Sequence, residues 1–481
     1  MFGLKNVFSD AVAKKTSLDK DAIAQLLKTN PKALQAFEAT YAAQALDEES
    51  DNFFEQNSRQ ASAALRESQT VGSETDMAVA ENLIFRIVDE LLAKTSVYEF
   101  NGDLSVPTRV ELPKALPDGT LSVTNNDVCA LPEIMRPQLT GSLMKVDIAE
   151  PSYPSLLYMY DRYLNDKTAK GRRQAYHMFR QGLDILDLDP ITYKIIETNP
   201  NSMGHWLPAL VEACRGQNFF KIPATRIAKV PMTLLQLTRQ EYAQLTPTTL
   251  RIVDEWAHEA FKLDDSKTYF IKTGTYSSKF DFRNAKVTGA KEIRELGEYL
   301  LFIHFQALQM ASPLSTPCIY GASTTTEWVV RDFIPDKENN PCIYKGMPLH
   351  TEYRIFIDAD NKTVIGKTPY WEPETMKKRF SEGAEGGSMH HAHDYLIYKA
   401  HEETLMRRYQ ENIDNVVAHV ESILPNLNLH GQWSLDIMQN GDDFWLIDMG
   451  LAENSAFYDC VPADLRLPSA ENWLPQIPET V

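Results

Sequence analysis

GQWSLDIMQNGDDFWLIDMGLAENS, residues 431–455, is the stretch on which the reading of this 481-residue chain turns. Trp433, Leu435 and Ile437 alternate with Ser434 and Asp436, the period-two pattern of a strand. Asn440-Gly441 breaks the run, and a second apolar strand starts at Phe444 and ends in Asp448. Glu453 and Asn454 follow in a glycine-containing loop. A carboxylate on an apolar strand is costly unless it is paired or binds a cation. Asp436 and Asp448 converging with an amide fit Mg2+, a hard cation held by a few carboxylates and substrate phosphates. A surface hairpin whose acids simply face water is the plainer alternative, and these residues alone leave both open.

Strand geometry sharpens the question. Directly paired residues share a face of the sheet. A two-residue Asn440-Gly441 turn, the usual use of Asn-Gly, pairs Asp436 with Trp445 and Trp433 with Asp448, placing the two acids on opposite faces. A three-residue loop pairs Asp436 with Leu446 and Asp448 with Ser434, making the acids diagonal neighbours on one face. A shared metal therefore predicts an odd-length loop or a bulge in this hairpin.

Working outward, the length predicts two to three domains. Hydrophobic residues make up 43% and charged residues 24%, the proportions of a globular protein. No run approaches the length of a membrane-spanning helix. The start, MFGLKNVFSDAVAKK, lacks the apolar centre of a signal peptide, so a cytoplasmic location is expected. A net charge of −18 argues against broad binding to nucleic acid or anionic membrane, while leaving room for a local basic pocket. Cys129, Cys214, Cys318, Cys342 and Cys460 are widely spaced and show no CxxC pair, which fits a reduced compartment.

Residues 1–100 read as a helical arm, with a helix start at Asn30-Pro31 and a polar linker near 50–72. Leu83, Ile84, Ile87, Val88, Leu91 and Leu92 form an apolar stripe at helical spacing, as in a packing helix. Residues 101–218 read as a loop-rich, then helical, connecting region. From residue 219 strands and helices mix, giving an α+β class. The divisions expected are 219–330, 331–461 and a loose tail over 462–481.

Several charged residues sit in this second half. Lys272 ends a strand and meets Gly274, Ser277, Ser278 and Lys279, a loop offering backbone N–H groups, hydroxyls and charge to phosphate. Arg331 in EWVVRDFI and Arg354 in EYRIFI lie mid-strand, where an interior guanidinium needs a carboxylate or phosphate. An ion pair with Asp332, Glu352 or a later acid would satisfy either one. His390, His391, His393 and Asp394 form an HHxHD cluster that reads as a flexible loop, a substrate-facing lid or a zinc site.

The order YFIKTGTYSSK, WVVRDFI, EYRIFI, LDIM…WLIDMGLAEN resembles the ATP-grasp superfamily. It is most similar to an arginine-rich clade that includes the eukaryotic cell-division-cycle protein assembling a translation initiation factor, and bacterial and phage relatives. The resemblance spans about residues 220–460. It implies an ATP-grasp-like two-subdomain nucleotide-binding fold preceded by a mainly helical N-terminal region. It implies that Lys272 touches ATP phosphates beneath the 274–279 loop with Ser277 and Ser278. The main chain of Arg331, Asp332 and Phe333 would meet adenine, Glu352 the ribose or a side chain that supports the site, and Arg354 the phosphates or acceptor. Arg354, Arg331 and Lys272 are thus the catalytic candidates. Lys229, with Lys221 as competitor, would be an earlier nucleotide lysine. Asp436 and Asp448 would hold Mg2+. Met449-Gly450 stands where the clade has x-N, so Asn454 or Glu453 would complete the metal site.

The function implied is an ATP- and Mg2+-dependent ligase of carboxylate–amine type acting through an acyl phosphate on an unidentified acceptor, either free or carried by a protein. The alternatives are an ATP-binding assembly factor for a protein partner, and a phosphotransferase.

Overall fold

A computed structural model describes residues 74–107, 165–185, 190–239, 247–312, 321–380 and 389–467, with Lys28, Arg162, Leu188, Leu245 and Ile319 between them. The expected helix start at Asn30-Pro31, the linker near 50–72, most of the loop-rich connection and residues 468–481 lie outside the described residues.

Two five-stranded sheets organise the α+β fold. With elements numbered along the chain, the first sheet runs β1 (Ser96–Phe100), β3 (Thr225–Lys229), β6 (Glu327–Asp332), β4 (Thr268–Thr273), β5 (Lys286–Thr288). The second runs β10 (Thr363–Pro369), β9 (Thr351–Asp358), β11 (Gln432–Asn440), β12 (Asp443–Leu451), β2 (Phe220–Lys221). Neighbouring strands are antiparallel except β2, which pairs parallel with β12. β7 (Cys342–Ile343) and β8 (Met347–Pro348) form a small separate ribbon.

The helices are α1 (Glu74–Ala93), α2 (Ala169–Ile185), α3 (Pro190–Glu197), α4 (Met203–Ala213), α5 (Met232–Leu237) and α6 (Pro247–Phe261). They continue with α7 (Phe282–Ala285), α8 (Gly289–Arg294), α9 (Leu296–Ala311), α10 (Pro373–Arg379) and α11 (Met389–Ile423). The stripe Leu83, Ile84, Ile87, Val88 and Leu91 is buried, and α1 packs on α6, which packs on α9 over the first sheet. α11 covers the second sheet at β9 and β10, its Val416 and Val420 joining Ile355, Ile357, Leu435 and Ile437 in the main core. α10 starts where Pro373 sits at the first helical position and Glu372 accepts from the Glu374 and Thr375 N–H groups.

Three expectations about organisation change. The segment up to residue 100 is not helical throughout: SVYEF is edge strand β1, with Tyr98 and Phe100 buried and Val97 and Glu99 exposed. The expected division at 330/331 falls inside β6, which lies wholly in the first sheet because it bonds to β3 on one side and β4 on the other. The described start of the tail is tied down: the Leu467 N–H donates to Gln432 Oε1, and Arg466 donates to the carbonyls of Val461 and Asp459.

The chain crosses from β2 in the second sheet to β3 in the first through Ile222, Pro223 and Ala224. Among the described residues no helix is long and apolar enough to cross a membrane.

Candidate functional site

The hairpin resolves the register question in a way the sequence only partly anticipates. The two-residue turn is Gly441-Asp442, with Asn440 opposite Asp443 and Gly441 at φ +64°. Neither the Asn440-Gly441 turn nor the three-residue loop forms. Asn440 is instead the last residue of β11, fully buried, its side chain donating to Pro335 O at 2.9 Å and accepting from Lys337 N at 3.0 Å. Pairing continues regularly to Ile437 opposite Leu446, then skips Ile447, so that Asp436 stands directly opposite Asp448. That extra residue is a β-bulge. Without it, Asp448 would follow the face of Leu446 into the core; with it, both carboxylates share one face.

The same pairing logic assigns the rest of that face. Arg354 lies opposite Asp436, and Glu352 opposite Met438. Across from it, Lys272 pairs with Val329 and Arg331 with Phe270, so Phe270, Lys272 and Arg331 share the facing side of the first sheet. All of these except Val329 line one cleft of about 710 Å3 between the sheets. The cleft has a long axis that the registers order. Phe333 and Met438 lie at one end, Phe270 and Arg331 with Ile447 next, then Lys272, Asp448, Asp436 and Arg354. Gly450, Asn454 and Asn201 close the other end.

Each carboxylate of the pair meets a cation. Arg354 donates Nε to Asp436 Oδ1 at 2.8 Å and Nη2 to Oδ2 at 2.7 Å, a bidentate fork. Lys272 Nζ donates to Asp448 Oδ1 at 3.1 Å, where Met449 N also donates at 3.0 Å. Arg331 donates Nη1 to the carbonyl of the bulged residue Ile447 and Nε to Thr225 Oγ1. Burial pushes the Arg331 pKa down to about 10, against the pull of Asp448. Lys279 Nζ contacts the Tyr370 hydroxyl, and Arg354 stacks 4.7 Å from the same ring. Burial lowers Lys279 to about 8, and burial raises Glu352 to about 8, with Asp436 adding to the rise and Lys279 opposing it. A carboxyl and an amine so displaced in one cleft mark a site able to exchange protons near neutral pH.

The donor set fits Mg2+ in kind: carboxylate and amide oxygens that hold one or two coordination positions and leave the others to phosphate and water. Among the described residues no protein donor reaches Asp448 Oδ2, whereas both oxygens of Asp436 are held by Arg354. Asp448 would therefore be the primary ligand, with Asp436 acting largely through Arg354. No group of three His, Cys, Asp or Glu side chains suited to a metal occurs among the described residues. Of the HHxHD motif, the backbone from Met389 belongs to α11, and Asp394 is buried, accepting from Tyr344 N at 3.3 Å. The side chains of His390 and His391 lie outside the described residues.

Several expected site residues stand elsewhere. Lys229 is paired within the protein: its Nζ donates to Glu327 Oε1 at 2.7 Å, both side chains buried outside the cleft lining on the sheet face that carries Arg331. Burial would raise the Glu327 pKa, but Lys229, His205 and the Gly204 N–H together hold the carboxyl below its usual range. Lys221 pairs with Asp443 at 2.6 Å on the outer edge. Ser278 turns to Gln306 Oε1 at 2.7 Å, leaving Ser277 on the cleft wall. Of the main chain of Arg331, Asp332 and Phe333, the N–H groups of Asp332 and Phe333 donate to Ala224 O (2.8 Å) and Thr268 O (3.0 Å). The Asp332 carboxylate pairs with Lys267. Asn454 and Glu453 both line the cleft, Asn454 Oδ1 accepting from Asn201 Nδ2 at 2.9 Å.

Asn201 and Tyr370 are the residues that sequence reasoning passed over. Asn201 sits in a polar turn with no periodicity, and nothing local marks it.

No protein-family model matches the chain, and no curated protein matches it. Among solved structures, the chain is similar to C-terminally truncated Cdc123 from Schizosaccharomyces pombe. The identity is 15% over 58% of this chain and 95% of that one, with a TM-score of 0.32. It is also similar to Cdc123 from the same organism, at 15% identity over 49% and 81%, with a TM-score of 0.28. Likeness at this level establishes neither a family nor an activity.

Proposed function

We propose that the cleft binds Mg2+–ATP in the manner of an ATP-grasp fold. One observation carries the reading. Lys272, Arg331 and Arg354, contributed by the two sheets, and Lys279, from the turn after β4, line one cleft with a cross-strand carboxylate pair in a protein of net charge −18. Concentrating cations there against the overall charge suits a polyanion, and the adjoining carboxylates suit the metal that accompanies it. The apolar end at Phe270, Phe333 and Met438 would take the base, and the charged middle the phosphates. Bound Mg2+ would supply charge neutralisation at the phosphates. Lys272 and the two arginines would orient them and exclude water.

Binding alone is what this geometry requires, so the leading use of the nucleotide is to hold an ATP-bound form competent to assemble with a protein partner. Carboxylate–amine ligation is the second reading, favoured by the Lys279–Glu352 pair. In it an acceptor carboxylate oxygen attacks the γ-phosphorus, forming the acyl phosphate as the bond to ADP breaks. An amine then displaces phosphate and gives up its proton to Glu352 in its ionised form, which burial makes the stronger base.

Calorimetric titration tests the binding: saturable Mg2+–ATP binding lost in Asp448→Ala and Arg331→Ala is expected, and none in the wild-type chain overturns it. ADP release with and without added carboxylate and amine acceptors separates the two uses. Acceptor-dependent release selects the ligase, and tight binding with negligible release selects the assembly factor.

A further inference from the structure

The turn between α3 and α4 lies outside the strand motifs, yet it bridges both sheets at the closed end of the cleft. On the first-sheet side, Asn199 Nδ2 donates to Thr324 O at 2.6 Å and Ser202 Oγ to Thr325 Oγ1 at 2.9 Å. Met203 N donates to Gly274 O at 2.9 Å, and Gly204 N to Glu327 Oε2 at 2.8 Å. On the second-sheet side there is one residue, Asn201. Its Oδ1 accepts from Leu451 N at 2.7 Å and its Nδ2 donates to Asn454 Oδ1 at 2.9 Å. Its own backbone is held too, the N–H donating to Asn199 Oδ1 at 3.1 Å and the carbonyl accepting from Trp206 Nε1 at 3.4 Å.

We infer that Asn201 is a positioning residue for the metal end of the cleft: it orients the Asn454 amide beside Asp448. The assignment rests on the Mg2+–ATP reading above. The physical reason is that an Asn side chain in a short surface turn has rotamer freedom to lose, and a partner already fixed at all four of its polar groups removes that freedom before the metal arrives. Asn454 Oδ1 keeps a second lone pair for a cation while accepting from Asn201. The bond is open to water, so it contributes little to folding; its effect belongs in metal affinity. Residues ahead of the ATP-grasp-like region thereby complete its site.

The test titrates Mg2+ into full-length protein saturated with the imido analogue of ATP, and separately measures analogue affinity without metal. Asn201→Ala and Asn454→Ala are each expected to weaken Mg2+ binding roughly tenfold, with no further loss in the double variant, because the two act through one amide. Metal-free analogue affinity and the melting temperature stay near wild type. Asn201→Asp serves as a second variant: it keeps an acceptor for Leu451 N but cannot donate to Asn454. Weaker Mg2+ binding despite the added negative charge supports positioning. Additive losses, an equal loss of metal-free affinity, or unchanged or tighter Mg2+ binding in Asn201→Asp overturn the assignment. Absence of analogue binding by the wild-type chain overturns the nucleotide reading and this assignment with it.

Discussion

Lys272 shows how a residue's role depends on what it faces. The sequence places it at a strand end outside the core, yet its side chain is 3% exposed with Nζ on Asp448. Lys272→Ala is expected to weaken Mg2+–ATP binding by about 1.5–3 kcal/mol, the loss of one charge-assisted bond. Asp448 remains 40% exposed and water can solvate it, but truncating a buried stem loses packing, so the melting temperature should fall as well; calorimetry on the folded variant and a thermal melt read the two effects separately. Arg354→Lys removes the fork that holds both oxygens of Asp436, and a point charge does not restore it. That variant is expected to impair nucleotide binding even with its charge retained. A pH effect follows from Glu352 and Lys279, each displaced to about 8. Below that pH the carboxyl is neutral and the amine charged; above it both have lost a proton and the cleft is less positive. Mg2+–ATP affinity should therefore fall as pH rises through 8, and Lys279→Met should flatten the profile by titration calorimetry. Lys272, Arg331, Arg354, Asp436 and Asp448 were legible because each is a charge in an apolar strand, and Lys279 because it sits in the polar loop that follows one. Lys229 was named from its place in the resemblance, and sequence spacing does not reveal the buried ion pair it makes with Glu327. Asn201 was illegible because its partners lie some 250 residues away.

At the scale of elements, β12 carries the decisive irregularity. The need for a bulge was legible from period-two geometry and the positions of the two acids; its place was not. Asn-Gly normally forms the turn itself, but the buried bonds of Asn440 to Pro335 and Lys337 draw it into the strand and shift the turn by one residue. Deleting Ile447 would make the ladder regular while leaving Asp436 opposite Asp448. Mg2+-dependent binding should then survive. Overall nucleotide affinity should fall by about tenfold, since Arg331 loses the carbonyl that holds it. Titration with and without Mg2+ checks both parts. β1 was missed although Val97, Tyr98, Glu99 and Phe100 alternate, because the strong helical stripe just before it dominates that window.

Across the whole molecule, the region that resembles ATP-grasp proteins is not self-sufficient. β1 supplies the first sheet's edge, α1 covers α6, and Gly204 at the start of α4 donates to the buried Glu327. A fragment beginning at Phe219 would expose those apolar faces and strip a donor from a buried carboxylate. It is expected to lose the cooperative thermal unfolding of the full chain, as circular dichroism would show. The link of Ile222, Pro223 and Ala224 between the sheets sets a different limit. Three residues span at most about 10 Å when extended, and here Ala224 O is also bonded to Asp332 N. The two halves are thus on a short leash beside the cleft, so the jaws cannot gape at that edge. A ligand enters from the opposite edge, and fluorophores placed astride the link should report almost no separation when nucleotide arrives, while a pair across the far rim should report the full swing.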